Sequence, residues 1–363
     1  MLSELRTHTV AESRLPQVDP DNVGFGRYIS DHMFTMSYEN GQWQAPEIVP
    51  YGPLPMEPGV AMLHYGQSVF EGMKAFRGED GRVRLFRPDM NYKRLKTSCV
   101  RLCIPVPTEE HFLGGIEALL RVDAAWVPAR PGHSLYIRPI IFATEQHLEV
   151  RPSRTYRFVI YTAPVKNYFD TATEGVSLKV QEKFTRAAPG GTGYAKTAAN
   201  YAAALYPGEQ AQQEGYTAAL WLDGLEHRYV EEVGQMNIFF RLGDTVVTPA
   251  LKGTILPGVT RDSVITLLKD WGIPVEERQI SIDEVMDGIR SGALSEAFGA
   301  GTAAVVSPVG RIANGKESLD IGDRTIGELT RRLYDAITGI QSGRIADPHG
   351  WVRVVETTRA ATV

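Results

Sequence analysis

The amino-acid sequence predicts an α+β fold built from two domains. Its 363 residues exceed the usual size of one domain, and its 43% hydrophobic and 22% charged content is typical of a chain with substantial cores. Strand and helix patterns follow one another without the regular β-α-β alternation of a doubly wound sheet. We expect a smaller N-terminal domain over residues 1–164, a linker over 165–175 and a larger C-terminal domain over 176–363.

Strand patterns dominate the N-terminal part. Two runs of alternating apolar residues around a Gly78–Gly81 turn predict a hairpin over Met73–Arg87. The stretches SLYIRPIIFA and YRFVIYTAP predict further strands. One helix is expected after Pro88, and another at Thr108, where two glutamates follow at once. The linker is expected because VKNYFDTATEG is polar and rich in turn-forming residues.

The C-terminal part combines strands with helices. VSLKV and AALWLDG predict strands, and NIFFRLGDTVVTP predicts a hairpin with a Gly-Asp turn. TRDSVITLLKDWG has apolar residues at helical spacing and stops at Gly272. Ser281 with Glu284, and Thr325 with Glu328, have the spacing of capping boxes and predict two later helix starts.

Charge and composition argue against several classes of partner. The net charge of −5 favours neither nucleic acid nor an anionic membrane surface. Apolar runs are too short to span a membrane, and the N-terminus lacks the apolar region of a signal peptide, so we expect a cytoplasmic protein. Cys99 and Cys103 are expected to be reduced thiols on one helix face, and the eight histidines lack metal-ligand spacing.

The stretch PGGTGYAKT, residues 189–197, places a lysine after a glycine-rich turn. A phosphate-binding loop of a nucleotide hydrolase has a second glycine directly before the lysine, where this chain has Ala195. A second interpretation makes Lys196 a nucleophile, which requires apolar surroundings or a cationic neighbour to lower its pKa. The local sequence has no carboxylate beside Lys196. A surface lysine at a helix start is the third interpretation.

Three further features bear on this choice. Glu231 and Glu232 are adjacent at the edge of an apolar strand, so one of them is expected to point inward, where a buried carboxylate needs a partner. LPGVTRDSV starts a helix whose N–H groups attract phosphate, and Thr260 could add a hydroxyl or simply cap the helix. FGAGTAAVV is a small-residue turn at Thr302 that could bind another anion or merely connect two strands. Together they suit pyridoxal 5′-phosphate, which offers an aldehyde, a ring nitrogen and a phosphate.

Seven segments, in order, resemble the branched-chain amino-acid aminotransferases, which are fold-type IV pyridoxal-phosphate enzymes. The resemblance runs from about Val23 to about Ile312. It implies a two-domain fold with the cofactor between a smaller N-terminal and a larger C-terminal domain. The segments are HYGQSVFEGMKAFRG, LFRPDMNYKRL, SLYIRP, GYAKTAANY, EEVGQMNIF, LPGVTRDS and GTAAVVSPV.

The resemblance implies a role for each matching residue. Lys196 binds the cofactor aldehyde covalently and moves the substrate proton, and Glu232 pairs with the pyridine nitrogen. Tyr201 approaches the cofactor's phenolic oxygen. The phosphate is contacted by Arg94, by the N–H groups of Val259 and Thr260, and by the Thr302 hydroxyl.

The substrate pocket that the resemblance implies takes two kinds of side chain. Aromatic residues from the smaller domain would form its walls, although each could equally be a core residue. Tyr136 and Arg138 lie two apart on a strand and share a face, so Arg138 could bind the γ-carboxylate of glutamate. The α-carboxylate is expected near Thr302 and Ala303. The implied pocket aromatics are Phe25, Tyr65, Tyr136 and Tyr168.

The resemblance also implies a homodimer, and it leaves some questions open. A D-amino-acid aminotransferase or an aminodeoxychorismate lyase would use the same lysine and glutamate. Some relatives carry a Cys-x-x-Cys pair where this chain has Ala304 and Ser307, so we predict no thiol switch there. Gln235 stands where relatives often have threonine, which leaves its contact with the cofactor undecided.

Overall fold

The computed structural model describes residues 2, 4–166 and 174–357. The chain divides into two compact units, which we call unit 1 (residues 1–167, 195–198 and 339–363) and unit 2 (residues 168–194 and 199–338). Most of the expected linker, including Tyr168, lies outside the described residues. The domain boundaries read from the sequence therefore stay a prediction.

Unit 1 is organised around one large sheet with helices packed against it. Its strands are β1 (Arg6–Thr7), β2 (His32–Glu39), β3 (Gln42–Trp43), β4 (Glu47–Pro50), β5 (Ser68–Phe70), β6 (Met73–Arg77), β7 (Val83–Phe86), β8 (His133–Ala143) and β9 (Tyr156–Lys166). Its helices are α1 (Ala61–Tyr65), α2 (Pro88–Arg101) and α3 (Gly115–Val122), the last preceded by a π-helical turn over Glu110–Gly114.

The sheet of unit 1 follows the order β1-β4-β2-β9-β8-β6-β7, with β3 beside β2 and β5 beside β8. The predicted hairpin is confirmed as β6 and β7, which are antiparallel. Thr108 accepts a hydrogen bond from the His111 N–H at 3.1 Å, as expected of a helix start. Aromatic residues such as Phe34, Phe112 and Phe158 fill the core under this sheet.

The buried face of helix α2 carries polar as well as apolar side chains. Its buried residues include Asn91, Arg94, Ser98 and Cys99. The expectation that both cysteines share a helix face is wrong, because α2 ends at Arg101 and Cys103 adopts a left-handed φ of 54°. Cys99 is buried whereas Cys103 is exposed, and both are free thiols.

Unit 2 contains the second sheet. Its strands are β10 (Val176–Val180), β11 (Ala218–Leu222), β12 (Val230–Val233), β13 (Met236–Leu242), β14 (Thr245–Thr248), β15 (Val275–Glu277), β16 (Leu294–Gly301), β17 (Val305–Asn314) and β18 (Glu317–Asp320). Its helices are α4 (Ala198–Gln213), α5 (Val259–Asp270), α6 (Ile282–Ser291) and α7 (Glu328–Ser342), of which α4 starts and α7 ends in unit 1.

The sheet of unit 2 closes on itself. Its order is β12-β11-β10-β17-β16-β13-β14-β15. Because β12 also pairs with β13, the six strands from β12 to β13 in this order form a closed ring. Apolar side chains such as Leu220, Ile238 and Phe240 form its core. A last strand, β19 (Val352–Val355), returns to unit 1 and pairs antiparallel with β7.

The two predicted capping boxes have different outcomes. Ser281 caps α6, since its hydroxyl accepts the Glu284 N–H at 3.1 Å. The prediction for Thr325 is wrong, because its hydroxyl donates to Asp323 at 2.6 Å. The buried carboxylate of Glu296 accepts the first N–H groups of α7 instead, from Leu329 at 3.1 Å and Thr330 at 2.9 Å. Among the helices of the described residues, none is both long and apolar enough to cross a membrane.

Candidate active site

Lys196 lies in a short segment that is tied to unit 1 by its main chain. Its N–H donates to the Ser98 hydroxyl at 2.8 Å, and its carbonyl accepts the Phe70 N–H at 3.0 Å. The hydroxyl of Thr197 donates to the Ser68 carbonyl at 2.7 Å. These bonds fix the lysine against β5 and α2, just before α4 begins at Ala198. The predicted position of Lys196 at a helix start is confirmed.

The surroundings of Lys196 favour its uncharged form. The pKa of Lys196 is lowered to about 8, mainly by burial and also by the nearby guanidinium groups of Arg94 and Arg138. Glu71 and Tyr136 act on that pKa in the opposite direction. The amine lies 4.8 Å from the ring centroid of Phe70. This environment is the one that a lysine nucleophile requires. It also contains a carboxylate, Glu71, which is distant from Lys196 in the sequence.

Arg94, the predicted phosphate ligand, forms a bidentate ion pair in unit 1. Its Nε and Nη2 atoms each donate to Glu71, at 2.8 Å. Glu71 is completely buried and also accepts the Asn91 amide at 2.8 Å. Sequence analysis did not single out Glu71. Its only signal was its place in the segment HYGQSVFEGMKAFRG, because the partner lies 23 residues away.

Two of the predicted substrate residues, Tyr136 and Arg138, are in contact. Arg138 Nη2 donates to the Tyr136 hydroxyl at 3.0 Å, and its guanidinium lies over the Phe70 ring at 4.7 Å. The shared face that the strand spacing predicted is therefore confirmed. Phe25 packs edge-on against Tyr136 with ring centroids 4.9 Å apart. At Gly72 an added Cβ would lie 2.0 Å from the Tyr136 hydroxyl, so a larger residue there would displace the Tyr136 ring.

Two predicted pocket residues of the N-terminal part remain, Tyr65 and Tyr168, and the structure describes only Tyr65. Tyr65 is 40% exposed, and its hydroxyl donates to the Leu148 carbonyl at 2.5 Å. It thus lies at the surface of unit 1, beside a loop that exposes Leu148 and Val150. Tyr168 lies outside the described residues.

In unit 2 both adjacent acids, Glu231 and Glu232, are buried, whereas the sequence predicted one inward-facing residue. The two faces of β12 are each covered by protein. Glu231 accepts the Thr254 hydroxyl, and burial raises the pKa of Glu231. Glu232 lies 2.9 Å from Arg186 Nε and accepts the Leu256 N–H at 2.7 Å. Arg186 was not identified from the sequence, because the hairpin of β12 and the segment before Lys196 meet only in the fold.

The Leu256 contact links Glu232 to the start of α5. Val259 and Thr260 are the first residues of that helix and both are buried. Gly258 precedes them in extended conformation and no side chain caps the helix, so Thr260 is not the cap. A Cβ at Gly258 would lie 2.0 Å from Asn237 Oδ1. The N–H groups at this helix start are thus suited to an anion such as phosphate.

Four other residues of unit 2 that the sequence singled out lie on defined elements. Thr302 and Ala303 form the turn between β16 and β17, both partly exposed. Tyr201 lies in the first turn of α4 and is partly exposed. Gln235 is exposed in the tight turn between β12 and β13. The groups that pyridoxal 5′-phosphate needs are present: an amine with a lowered pKa, a buried acid, an uncapped helix start and a buried arginine.

Comparison with known proteins identifies the family. Residues 68–312 match the model of the amino-transferase class IV family. Branched-chain-amino-acid aminotransferase 2 of Bacillus subtilis is 49% identical over 95% of this chain and 96% of its own length. The chain belongs to the branched-chain aminotransferase family. Another member, the branched-chain-amino-acid aminotransferase of Mycobacterium tuberculosis, is 46% identical over 91% of each chain.

Solved structures of branched-chain aminotransferases share this fold. The Escherichia coli enzyme superposes with a TM-score of 0.74 at 27% identity, covering 88% of this chain and 99% of that one. The enzyme from Thermoproteus uzoniensis, solved with norvaline, gives a TM-score of 0.72 at 25% identity, covering 90% and 100%. The predicted fold class, α+β of fold-type IV, is confirmed. This branched-chain aminotransferase is a pyridoxal-phosphate enzyme, which rules out the nucleotide-hydrolase interpretation.

Proposed function

We propose that the chain catalyses reversible amino transfer between L-leucine, L-isoleucine or L-valine and 2-oxoglutarate, giving branched-chain 2-oxo acids and L-glutamate. The observation that carries this proposal is the Lys196 amine, held beside Phe70 and two arginines with its pKa lowered to about 8. The relatives named as branched-chain aminotransferases support the substrate class. The alternative, a D-amino-acid aminotransferase or an aminodeoxychorismate lyase, gains no support from them.

Pyridoxal 5′-phosphate, when bound, supplies an electron-withdrawing ring that makes the substrate α-proton acidic. Lys196 would hold its aldehyde carbon, and Tyr201 would contact its phenolic oxygen. Glu232 would accept a hydrogen bond from its ring nitrogen and keep a proton there. Its phosphate would be bound by Arg94, the N–H groups of Val259 and Thr260, and the hydroxyl of Thr302.

Lys196 would also move the substrate proton. A neutral amine can accept the proton from the substrate α-carbon, and the resulting ammonium can return it at C4′, the aldehyde carbon of the cofactor. The lowered pKa serves this role because a general base works best when its pKa is near the operating pH. Phe70 limits the access of water to the amine on the side that its ring covers.

The pocket residues suit two substrates that differ in polarity. The rings of Phe25, Tyr136 and Phe70 provide apolar contacts for a branched aliphatic side chain. Arg138 can pair with the γ-carboxylate of glutamate or 2-oxoglutarate, since a guanidinium binds a carboxylate bidentately. The N–H groups at Thr302 and Ala303 would bind the α-carboxylate. Tyr65 and Tyr168 complete the set of proposed substrate residues.

We also propose that the enzyme works as a homodimer in the cytoplasm. Unit 1 exposes apolar side chains on α1 and on the loop after β8, and such a patch is typical of a subunit interface. The exposed residues are Leu63, Tyr65, Leu148 and Val150. Tyr65 could then serve the active site of the second copy. Two free cysteines accord with a reducing compartment.

The test is an assay of purified protein with pyridoxal 5′-phosphate and 2-oxoglutarate. We expect glutamate to form with each of the three branched-chain L-amino acids and not with D-alanine. The variant Lys196→Ala should lose the visible absorbance of the bound cofactor and nearly all turnover. Preference for D-alanine, or near-normal turnover by Lys196→Ala, would overturn the proposal. Sedimentation of wild type at several concentrations tests the dimer separately.

A further inference from the structure

Glu71 is the centre of a buried hydrogen-bond network, and the reaction outlined above assigns no role to Glu71 itself. Both of its carboxylate oxygens accept from Arg94, and one also accepts the Asn91 amide. The same oxygen lies 3.3 Å from the N–H of Gly72. The residue has no exposed surface. A buried carboxylate is costly unless it is fully paired, and this one is.

The network continues from Glu71 to the lysine segment. Asn91, Arg94 and Ser98 lie on one face of α2, at spacings of three and four residues. The Ser98 hydroxyl donates to the Arg94 carbonyl at 3.0 Å and accepts the Lys196 N–H at 2.8 Å. On the other side, Glu71 follows Phe70, whose N–H donates to the Lys196 carbonyl. Glu71 and Arg94 therefore join the two elements that hold Lys196.

The pairing also determines how Arg94 is presented. An arginine side chain is long and flexible, and a bidentate carboxylate fixes the plane and direction of its guanidinium. Glu71 accepts from the Nε–Nη2 edge of that group, which holds the guanidinium in one orientation. Glu71 also balances the charge that Arg94 places close to Lys196.

We propose that Glu71 is a positioning residue that orients Arg94 to bind the phosphate group of the cofactor. This inference rests on the proposed function, in which Arg94 is a phosphate ligand. The alternative is a purely structural role, in which Glu71 only attaches α2 to the sheet. The two roles differ in one measurable respect: orientation of Arg94 affects a ligand with a phosphate and not the same ligand without it.

The experiment compares pyridoxal 5′-phosphate with pyridoxal, which has the aldehyde and ring but no phosphate. Dissociation constants of both are measured on apoprotein by the absorbance change that accompanies binding to Lys196. For Glu71→Gln we expect the constant for pyridoxal 5′-phosphate to rise about tenfold or more, the usual effect of losing a hydrogen bond to a charged group. The constant for pyridoxal should change less than about threefold.

A matched control and a double variant make the comparison specific. Asp123→Asn alters another buried carboxylate of unit 1, paired with His32, and should leave the ratio of the two constants unchanged. In an Arg94→Gln background, adding Glu71→Gln should weaken pyridoxal 5′-phosphate little further, because the residue to be oriented is gone. If Glu71→Gln does not fold, Glu71→Asp keeps the charge and shortens the reach, and the same ratio is measured.

Each result has a defined meaning. Equal losses for both ligands would show a structural role and overturn the proposal, as would no loss for either. If Arg94→Gln itself leaves the ratio unchanged, the phosphate assignment in the proposed function is wrong. If Arg94→Gln changes the ratio and Glu71→Gln does not, only the role of Glu71 is wrong.

Discussion

The amine of Lys196 lies 4.8 Å from the centre of the Phe70 ring, and the guanidinium of Arg138 lies 4.7 Å from the same centre. The Phe70 ring thus contacts both Lys196, the proposed base, and Arg138, the residue proposed to bind the γ-carboxylate of the substrate. The Phe70 N–H donates a hydrogen bond to the Lys196 carbonyl, so the ring and the amine are held close together. This arrangement connects substrate recognition with the environment of the lysine.

The pH dependence of Lys196 reactivity follows from this environment. An ordinary lysine has a pKa of about 10.4, whereas that of Lys196 is lowered to about 8. Modification of the apoprotein by acetic anhydride should therefore increase with pH and level off above about pH 8, measured by mass spectrometry of the Lys196 peptide. The exposed Lys93 serves as the comparison in the same digest. A rate that keeps rising to pH 10 would contradict the prediction.

The charges around Lys196 predict opposite shifts in two variants. Glu71 raises the pKa of Lys196 and Arg94 lowers it. Glu71→Gln should therefore move the midpoint of the modification curve to lower pH, and Arg94→Gln should move it to higher pH. The same acylation experiment measures both. Shifts in the same direction would show that changes in burial, and not these charges, control the amine.

Glu231 and Glu232 form a matched pair of neighbours for testing the ring-nitrogen contact. Glu232→Gln should slow the single-turnover half-reaction with L-leucine roughly 10²-fold, a typical cost of losing one preorganised electrostatic contact. It should also shift the ¹⁵N resonance of the labelled cofactor ring. Glu231→Gln should change neither strongly, because Glu231 points to the opposite face of β12, where a glutamine carbonyl can still accept the Thr254 hydroxyl. Equal effects of both variants would refute the assignment of Glu232.

Arg138 should discriminate between the two substrates. Arg138→Gln is expected to reduce kcat/KM for 2-oxoglutarate by about 10-fold to 100-fold, the range for a lost charge-assisted hydrogen bond, and to affect L-leucine much less. Arg157→Gln, on the neighbouring strand β9, is the control. Steady-state kinetics with each substrate varied separately provide the measurement. Equal losses for both substrates would argue for a structural role of Arg138.

The two cysteines should differ in reactivity. Cys103 is exposed, whereas Cys99 is buried and its pKa is raised to about 12 by burial. Maleimide should label Cys103 alone in the folded protein and both cysteines after unfolding. Mild oxidant should leave activity intact, because Ala304 and Ser307 provide no thiol pair. Reversible inactivation that persists in Cys103→Ser would contradict this prediction.

The two apparent capping boxes predict different stability effects. Ser281→Ala removes a real helix cap and should lower the free energy of unfolding by about 1 kcal/mol. Thr325→Ala should cost less than about 0.5 kcal/mol, because Glu296 satisfies the start of α7. Urea unfolding of both variants under the same conditions tests the difference. Equal destabilisation would show that Thr325 contributes more than its hydrogen bonds indicate.

Local patterns in the sequence determined much of what the structure contains. The hairpin over Met73–Arg87, the helix starting near Thr260 and the Ser281 cap were all predictable. Each depends on residues a few positions apart, whose periodicity and turn chemistry act through short-range sterics and hydrogen bonds. Lys196 could be selected for a similar reason, since it stands in a short segment of distinctive composition, whereas the local pattern did not separate Glu231 from Glu232 and only the family resemblance selected Glu232.

Only the tertiary structure decided which distant groups became partners. Glu71 meets Arg94, Glu296 caps α7, Arg186 reaches Glu232, and the segment with Lys196 joins unit 1. These pairings join residues that are separated along the chain, so they depend on how whole strands and helices pack. Desolvation in that packed interior, which no local pattern records, is the largest of the causes that lower the pKa of the lysine.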